Sequence, residues 1–244
     1  MSVSPHSSDA PPVKPSRIPP LESGDHLTRE EFERRFDATP GLKKAELING
    51  VVYMPPPVSL DWHSEPHFEC IGLLSTYRRA TPGVRGGDNG SIRLDLGNMP
   101  QPDIFLIISP EAGGQARIDE ERYVVGAPEF VCEIAGSSAS MDLNHKLDLY
   151  RRHGVKEYLV WRTFDGVIDY FVAQGGSFDR LSPEKTGEHR SRILPGLWID
   201  TPAMLSGKWD DAVATLGAGI ASPEHTAFVA ELRARAARSK PAAE

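Results

Sequence analysis

The alternation of apolar and polar positions divides the chain into an unpatterned start, a patterned body and a helical end. Residues 1–26 carry almost no periodic apolar positions and are rich in Pro and Ser, so they are expected to form a flexible tail. Order is expected from Thr28, where Thr28-Arg29-Glu30-Glu31 fits a capping box and Phe32 and Phe36 fall on one helix face. Ala45-Glu46-Leu47-Ile48 and Val51-Val52-Tyr53-Met54 flank Asn49-Gly50, the residue pair that accepts the positive φ angles of a two-residue hairpin turn. A helix from about Ser64 then places Phe68, Ile71, Leu74 and Tyr77 at helical spacing and stops at Thr81-Pro82-Gly83.

The stretch GGDNG predicts turns, and Ile92, Leu94 and Leu96 alternate as in a half-buried strand. Residues 103–108 and 130–135 are continuous apolar runs, the pattern of strands covered on both faces, joined by a long polar connection over 109–127. Asp142 is placed to cap a helix carrying Leu143, Leu147 and Tyr150 and ending near Gly154. Residues 158–161 and 167–172 flank Asp165-Gly166 as a second hairpin, and Arg192-Ile193-Leu194 reads as a last strand. Ser222-Pro223-Glu224 opens an amphipathic helix with Phe228, Val229 and Leu232 on its apolar stripe. The expected architecture is one α/β (α+β) domain over 27–206, followed by a C-terminal extension over 207–244.

Composition narrows the function. A net charge of −7 argues against a chain-wide basic footprint for nucleic acid, so any polyanion contact must be local. Two cysteines, Cys70 and Cys132, form no disulfide framework and no C-x-x-C metal motif; both are expected buried and reduced, which fits the cytoplasm. With no run of ~18 apolar residues and no signal-like stretch in residues 1–26, neither membrane crossing nor export is expected.

Two carboxylates stand out, because burying an ionised carboxylate without a partner costs several kcal/mol, of order ~3–5. Asp103 begins one apolar run and Glu133 lies inside the next. Taken singly, Asp103 after Pro102 starts a strand and Glu133 pairs with an arginine. As neighbours they would share a divalent cation, and hard oxygen ligands suit Mg²⁺ or Mn²⁺. Asp142, Lys146 and Tyr150 recur every four residues and share a helix face. There Lys146 either orients or deprotonates an attacking water and offsets phosphate charge, or simply pairs with Asp142 at the surface.

The ordered series Pro102-Asp103, Glu133-Ile134-Ala135, Asp142-Leu143-x-x-Lys146, Tyr150 and Gly154-Val155-x-Glu157-Tyr158 resembles the Uma2 family of restriction-endonuclease-like proteins, within the PD-(D/E)XK nuclease superfamily. The likeness extends upstream to Glu46-Leu47-Ile48-Asn49-Gly50 and His63, and downstream to Leu194-Pro195-Gly196-Leu197-Trp198. It implies a mixed β-sheet flanked by helices. It also implies Asp103 and Glu133 as catalytic metal ligands, the Ile134 carbonyl as a third, and Lys146 as the catalytic lysine, standing in for the position two after the glutamate that Ala135 fills here. Glu46 would add a carboxylate near the metal, and His63 and Tyr150 would face substrate or water. Two departures are Gly136, where the family usually has serine, and Trp161-Arg162, where it usually has Val-Asp.

Three functions compete at this stage. One is a Mg²⁺- or Mn²⁺-dependent endonuclease acting on nucleic acid, DNA by analogy, with a homodimer as the arrangement that would cut both strands. The second is a nuclease-fold binding or scaffolding module that no longer cleaves. The third is a glycoside hydrolase using Asp103 and Glu133 as acid and base, which the lack of aromatic residues clustered near either carboxylate disfavours.

Overall fold

A computed structural model describes residues 18–239. The first helix, α1 (Arg29–Asp37), starts at Thr28, whose side-chain oxygen accepts from the Glu31 amide as the capping pattern requires. The hairpin β1 (Glu46–Ile48) and β2 (Val51–Tyr53) turns through Asn49 at φ 53° and Gly50 at φ 76°. The packed chain begins earlier than Thr28. Leu21 is buried, Gly24 donates to the Val52 carbonyl, and the Val52 amide donates to Asp25. The outer edge of the hairpin offers unpaired backbone groups, and residues 21–26 satisfy them. Of the tail expected over 1–26, residues 1–17 lie outside the described residues.

A π-helical turn, Leu60–Ser64, leads into α2 (Glu65–Ala80). Its buried stripe is Cys70, Leu73, Leu74 and Tyr77, the i, i+3, i+4, i+7 set, whereas Phe68 lies off that stripe and is 72% exposed. The remaining strands are β3 (Val84–Asp88), β4 (Ile92–Arg93), β5 (Ile104–Ile108), β6 (Arg117–Ile118), β7 (Val124–Val125), β8 (Phe130–Ala135), β9 (Glu157–Arg162), β10 (Val167–Gln174), β11 (Ser177–Arg180), β12 (His189–Arg190) and β13 (Trp198–Ile199). A six-stranded sheet runs β11-β10-β9-β8-β5-β3, with β8 and β9 parallel and the other neighbours antiparallel. This is the mixed sheet flanked by helices expected from the sequence.

The glycine-rich stretch is not only a turn: Gly86 and Gly87 belong to the edge strand β3, facing Leu106 and Phe105 of β5. A Cβ on Gly87 would lie 2.8 Å from Cζ of Phe105, and one on Gly86 2.8 Å from Cδ2 of Leu106. Glycine is there to admit neighbouring side chains. Leu96 is 64% exposed, because the strand begun at Ile92 stops at Arg93. Arg192-Ile193-Leu194 forms a turn instead of a strand, the Ile193 and Leu194 amides donating to Ser191 Oγ.

The second half of the site-bearing crossover is a π-wound segment, Met141–Lys146, continuing as α3 (Leu147–His153) and ended by left-handed Gly154 at φ 86°. Helices α4 (Thr201–Leu205), α5 (Trp209–Ile220) and α6 (Pro223–Ser239) are the last elements of the described residues. On one face of the sheet Leu106, Cys132 and Ile134 pack with α2 and with Leu216, Phe228 and Leu232 of the last two helices. On the other, Phe105, Val131 and Val160 pack with Leu149 and Tyr150 of α3. Residues beyond 206, expected as an extension, therefore supply part of the main core.

Candidate functional site

Strand periodicity places the two carboxylates together. Along β8, Cys132 and Ile134 face α2, so Glu133 faces α3 with Val131 and Ala135. Asp103, one residue before β5, shares parity with Phe105 and Ile107 and points to the same side. The antiparallel register Ile104↔Cys132 sets Asp103 beside Glu133, and the Asp103 amide donates to Glu133 Oε2 at 3.3 Å. The Ile134 amide donates to Asp103 Oδ2 at 2.9 Å.

The helix supplies the cation. Lys146 Nζ is 3.0 Å from Glu133 Oε1, 3.0 Å from Glu46 Oε1 and 3.7 Å from Asp142 Oδ1. Glu46 Oε1 also accepts from the Gln101 amide at 2.7 Å, and the Tyr150 hydroxyl donates to Glu133 Oε1 at 3.0 Å. Asp142 is not a cap: it is buried, takes a hydrogen bond from Ser138 Oγ at 2.6 Å and faces Lys146 one turn on. His63 Nδ1 stands 2.8 Å from the Ile134 carbonyl oxygen and its Nε2 lies 3.7 Å from Asp103 Oδ1. The structure thus gathers all seven residues singled out in the sequence: Glu46, His63, Asp103, Glu133, Ile134, Lys146 and Tyr150.

Three further members escaped the sequence reading. Lys44 Nζ lies 2.8 Å from Asp103 Oδ1 and 2.9 Å from Asn89 Oδ1. His67 Nε2 stands 3.0 Å from the Asp103 carbonyl. Gln101, which donates to the Asn89 carbonyl, has a buried Oε1 with no hydrogen-bond partner. Only long-range packing brings these groups in, although Lys44 and His67 stand within four residues of Glu46 and His63 in the sequence.

Four buried carboxylates, Glu46, Asp103, Glu133 and Asp142, face two lysines, Lys44 and Lys146. Burial pushes the Glu133 carboxyl up to about 8, against the pull of Lys146 and with the help of Asp103 and Asp142. Burial likewise raises Asp142. Burial also opposes ionisation of Asp103, but Lys44, His63 and Lys146 together hold it below its ordinary value. Lys146 is desolvated too, yet Glu133, Glu46 and Asp142 raise its pKa well above the lysine range, so its ammonium persists.

Four carboxylates face two lysines, so acidic groups are in excess, and a divalent cation would favour the ionised forms that burial disfavours. Asp103 and Glu133 on adjacent strands, with the Ile134 carbonyl close by, bring hard oxygen atoms together. Such oxygens suit a hard divalent cation. The set relies on the carbonyl, since no group of three or more His, Cys, Asp or Glu side chains is arranged to hold a metal ion among the described residues.

Gly136 and Trp161-Arg162 find local explanations. A Cβ at Gly136 would come 3.2 Å from the Trp62 carbonyl oxygen, which Thr163 Oγ1 also holds at 2.6 Å. Glycine admits the turn that carries His63. Trp161 packs against Trp209 of α5 at 6.0 Å between ring centroids, and Arg162 pairs with Asp165 and Asp169.

The mixed sheet, its helical layers and the paired carboxylates define a restriction-endonuclease-like α/β protein. Residues 29–202 match the family Uma2, described as "Putative restriction endonuclease", and the chain belongs to it. The fold is similar to the crystal structure of a "putative nuclease belonging to DUF820" from Anabaena variabilis, at TM-score 0.51 and 16% identity, covering 78% of this chain and 99% of that one. No curated protein matches. No helix of the described residues is long and apolar enough to cross a membrane.

Proposed function

We propose that this protein is a Mg²⁺- or Mn²⁺-dependent endonuclease that hydrolyses phosphodiester bonds in nucleic acid, with DNA as the substrate. The observation that carries the reading is the Asp103–Glu133 pair on adjacent strands with the Lys146 ammonium 3.0 Å from Glu133. Asp103, Glu133 and the Ile134 carbonyl would hold the ion, which when bound supplies Lewis acidity to the phosphodiester and activates a water.

Lys146 acts as a fixed positive charge. Held 3.0 Å from Glu133 and Glu46, its ammonium would orient the attacking water and offset charge developing on the phosphate. Tyr150 holds the Glu133 carboxylate through its hydroxyl, and Glu46 fixes the lysine from the other side. His63, partly buried against Ile134, would contact substrate or water. A homodimer would bring two such sites to the two strands of a duplex, and work on DNA with reduced cysteines fits the cytoplasm.

The test is cleavage of supercoiled plasmid, linear duplex, single-stranded DNA and RNA with Mg²⁺, Mn²⁺ or EDTA, beside Asp103→Asn and Lys146→Met proteins matched for folding. Metal-dependent cleavage lost in both variants supports the enzyme and names its substrate. No cleavage of any substrate would replace it with a nuclease-fold binding module.

A further inference from the structure

The two lysines of the site are held differently. Lys146 is fixed by three carboxylates, and its side chain is 5% exposed. Lys44 reaches Asp103 from outside the sheet, its side chain is 27% exposed, and only one carboxylate holds it. Its second partner, Asn89, lies in the left-handed region at φ 47°, where its backbone amide donates to the Asp103 carbonyl at 3.1 Å and its carbonyl accepts from Gln101 at 2.6 Å. Asp103 Oδ2 accepts from the backbone amide of Ile134, whereas Oδ1 meets only side chains, Lys44 Nζ and, at 3.7 Å, His63 Nε2.

Resting on the metal-dependent reading above, we propose that Lys44 is the resident counter-ion of Asp103, that it competes with the divalent metal for Oδ1, and that it swings out toward solvent when the metal enters. An ammonium and a divalent ion on one carboxylate oxygen repel each other, and burial strengthens that repulsion. Of the two lysines, Lys44 is the more exposed and so the one able to leave. The ammonium also satisfies Asp103 before the metal arrives, sparing the fold an uncompensated buried charge. Lys44 is therefore a positioning residue that sets metal affinity.

The experiment is calorimetric titration of Mn²⁺ into the full chain and its Lys44→Met and Lys44→Gln forms, each checked for folding by circular dichroism, with Asp103→Asn as the control. A protein whose site is open in about one molecule in ten binds about tenfold more weakly than one always open. Both Lys44 variants are therefore expected to bind Mn²⁺ about tenfold tighter, and Mn²⁺ should raise their melting temperature more than that of the parent. Asp103→Asn should abolish the binding. Equal or weaker binding by both Lys44 variants, beside Asp103-dependent binding by the parent, overturns the role of Lys44 and leaves the metal reading standing. No Mn²⁺ binding by any form overturns both. Binding that appears only when Lys44 is replaced, and that requires Asp103, is the strongest support.

Discussion

Lys146 Nζ lies 3.0 Å from Glu133 Oε1, joining a helix to the strand that precedes it in the chain. Both groups are buried, and the same nitrogen serves Glu46 and Asp142, so this cation is shared by three of the site's four carboxylates. Removing one partner of a buried pair leaves the other's charge uncompensated and costs ~3–5 kcal/mol. Lys146→Met is expected to lose about that much stability in metal-free buffer as well as any nuclease activity. Adding Glu133→Gln to it should restore part of the stability and none of the activity, as urea denaturation and plasmid cleavage would show.

Much of the site was legible because its residues break local rules: charged groups inside apolar runs, and a lysine four residues from both Asp142 and Tyr150 on one face. The Asn49-Gly50 hairpin and the continuous strands were legible for the same local reason, that turn chemistry and periodicity act over a few residues. Lys44 broke no such rule, since a lysine before a hairpin reads as solvated, and only the fold aims it at Asp103. Phe68 and Gly87 were misplaced because spacing does not reveal which neighbour fills a helix stripe or approaches a strand.

Gly87→Ala tests that approach. The added Cβ would meet the ring of Phe105, itself buried, and overpacking of this kind costs ~1–3 kcal/mol. A destabilisation in that range is expected by urea denaturation. A loss within ~0.5 kcal/mol, the usual span for a surface change, would mean that the ring moves aside freely.

Leu232 of α6 is fully buried against the core and its Cβ would stand 3.1 Å from a Cβ at Gly83. Leu232→Ala is expected to cost ~2–5 kcal/mol in a single cooperative transition. An extension independent of the domain would instead melt separately and leave the main transition where it was.

Glu157 carries a pH prediction. Buried on β9, it accepts from Tyr170 at 2.7 Å, Ser191 at 2.6 Å and the Arg192 amide at 2.7 Å. Burial raises its pKa despite those bonds, so the folded protein holds this proton more tightly than the unfolded chain. A raised carboxyl contributes stability that is complete below the unfolded value of 4.5 and is lost as pH rises through the folded one. Glu157→Gln should flatten that part of the fall in stability above pH 4.5, measured as urea midpoints across pH, while leaving the slope from other groups.

Glu46 decides between two roles. As a metal ligand it would lose cation affinity on conversion to Gln; as a partner of Lys146 it would not. Its Oε1 meets both the backbone amide of Gln101 and Lys146, the contact on which the second role rests. Glu46→Gln keeps an oxygen for Gln101 and removes one of the charges that fix the lysine. It is expected to bind Mn²⁺ within about threefold of the parent while its single-turnover cleavage rate falls about tenfold or more, the size of a lost charge-assisted contact of ~1.4 kcal/mol. Mn²⁺ affinity reduced as far as in Asp103→Asn would instead make Glu46 a ligand.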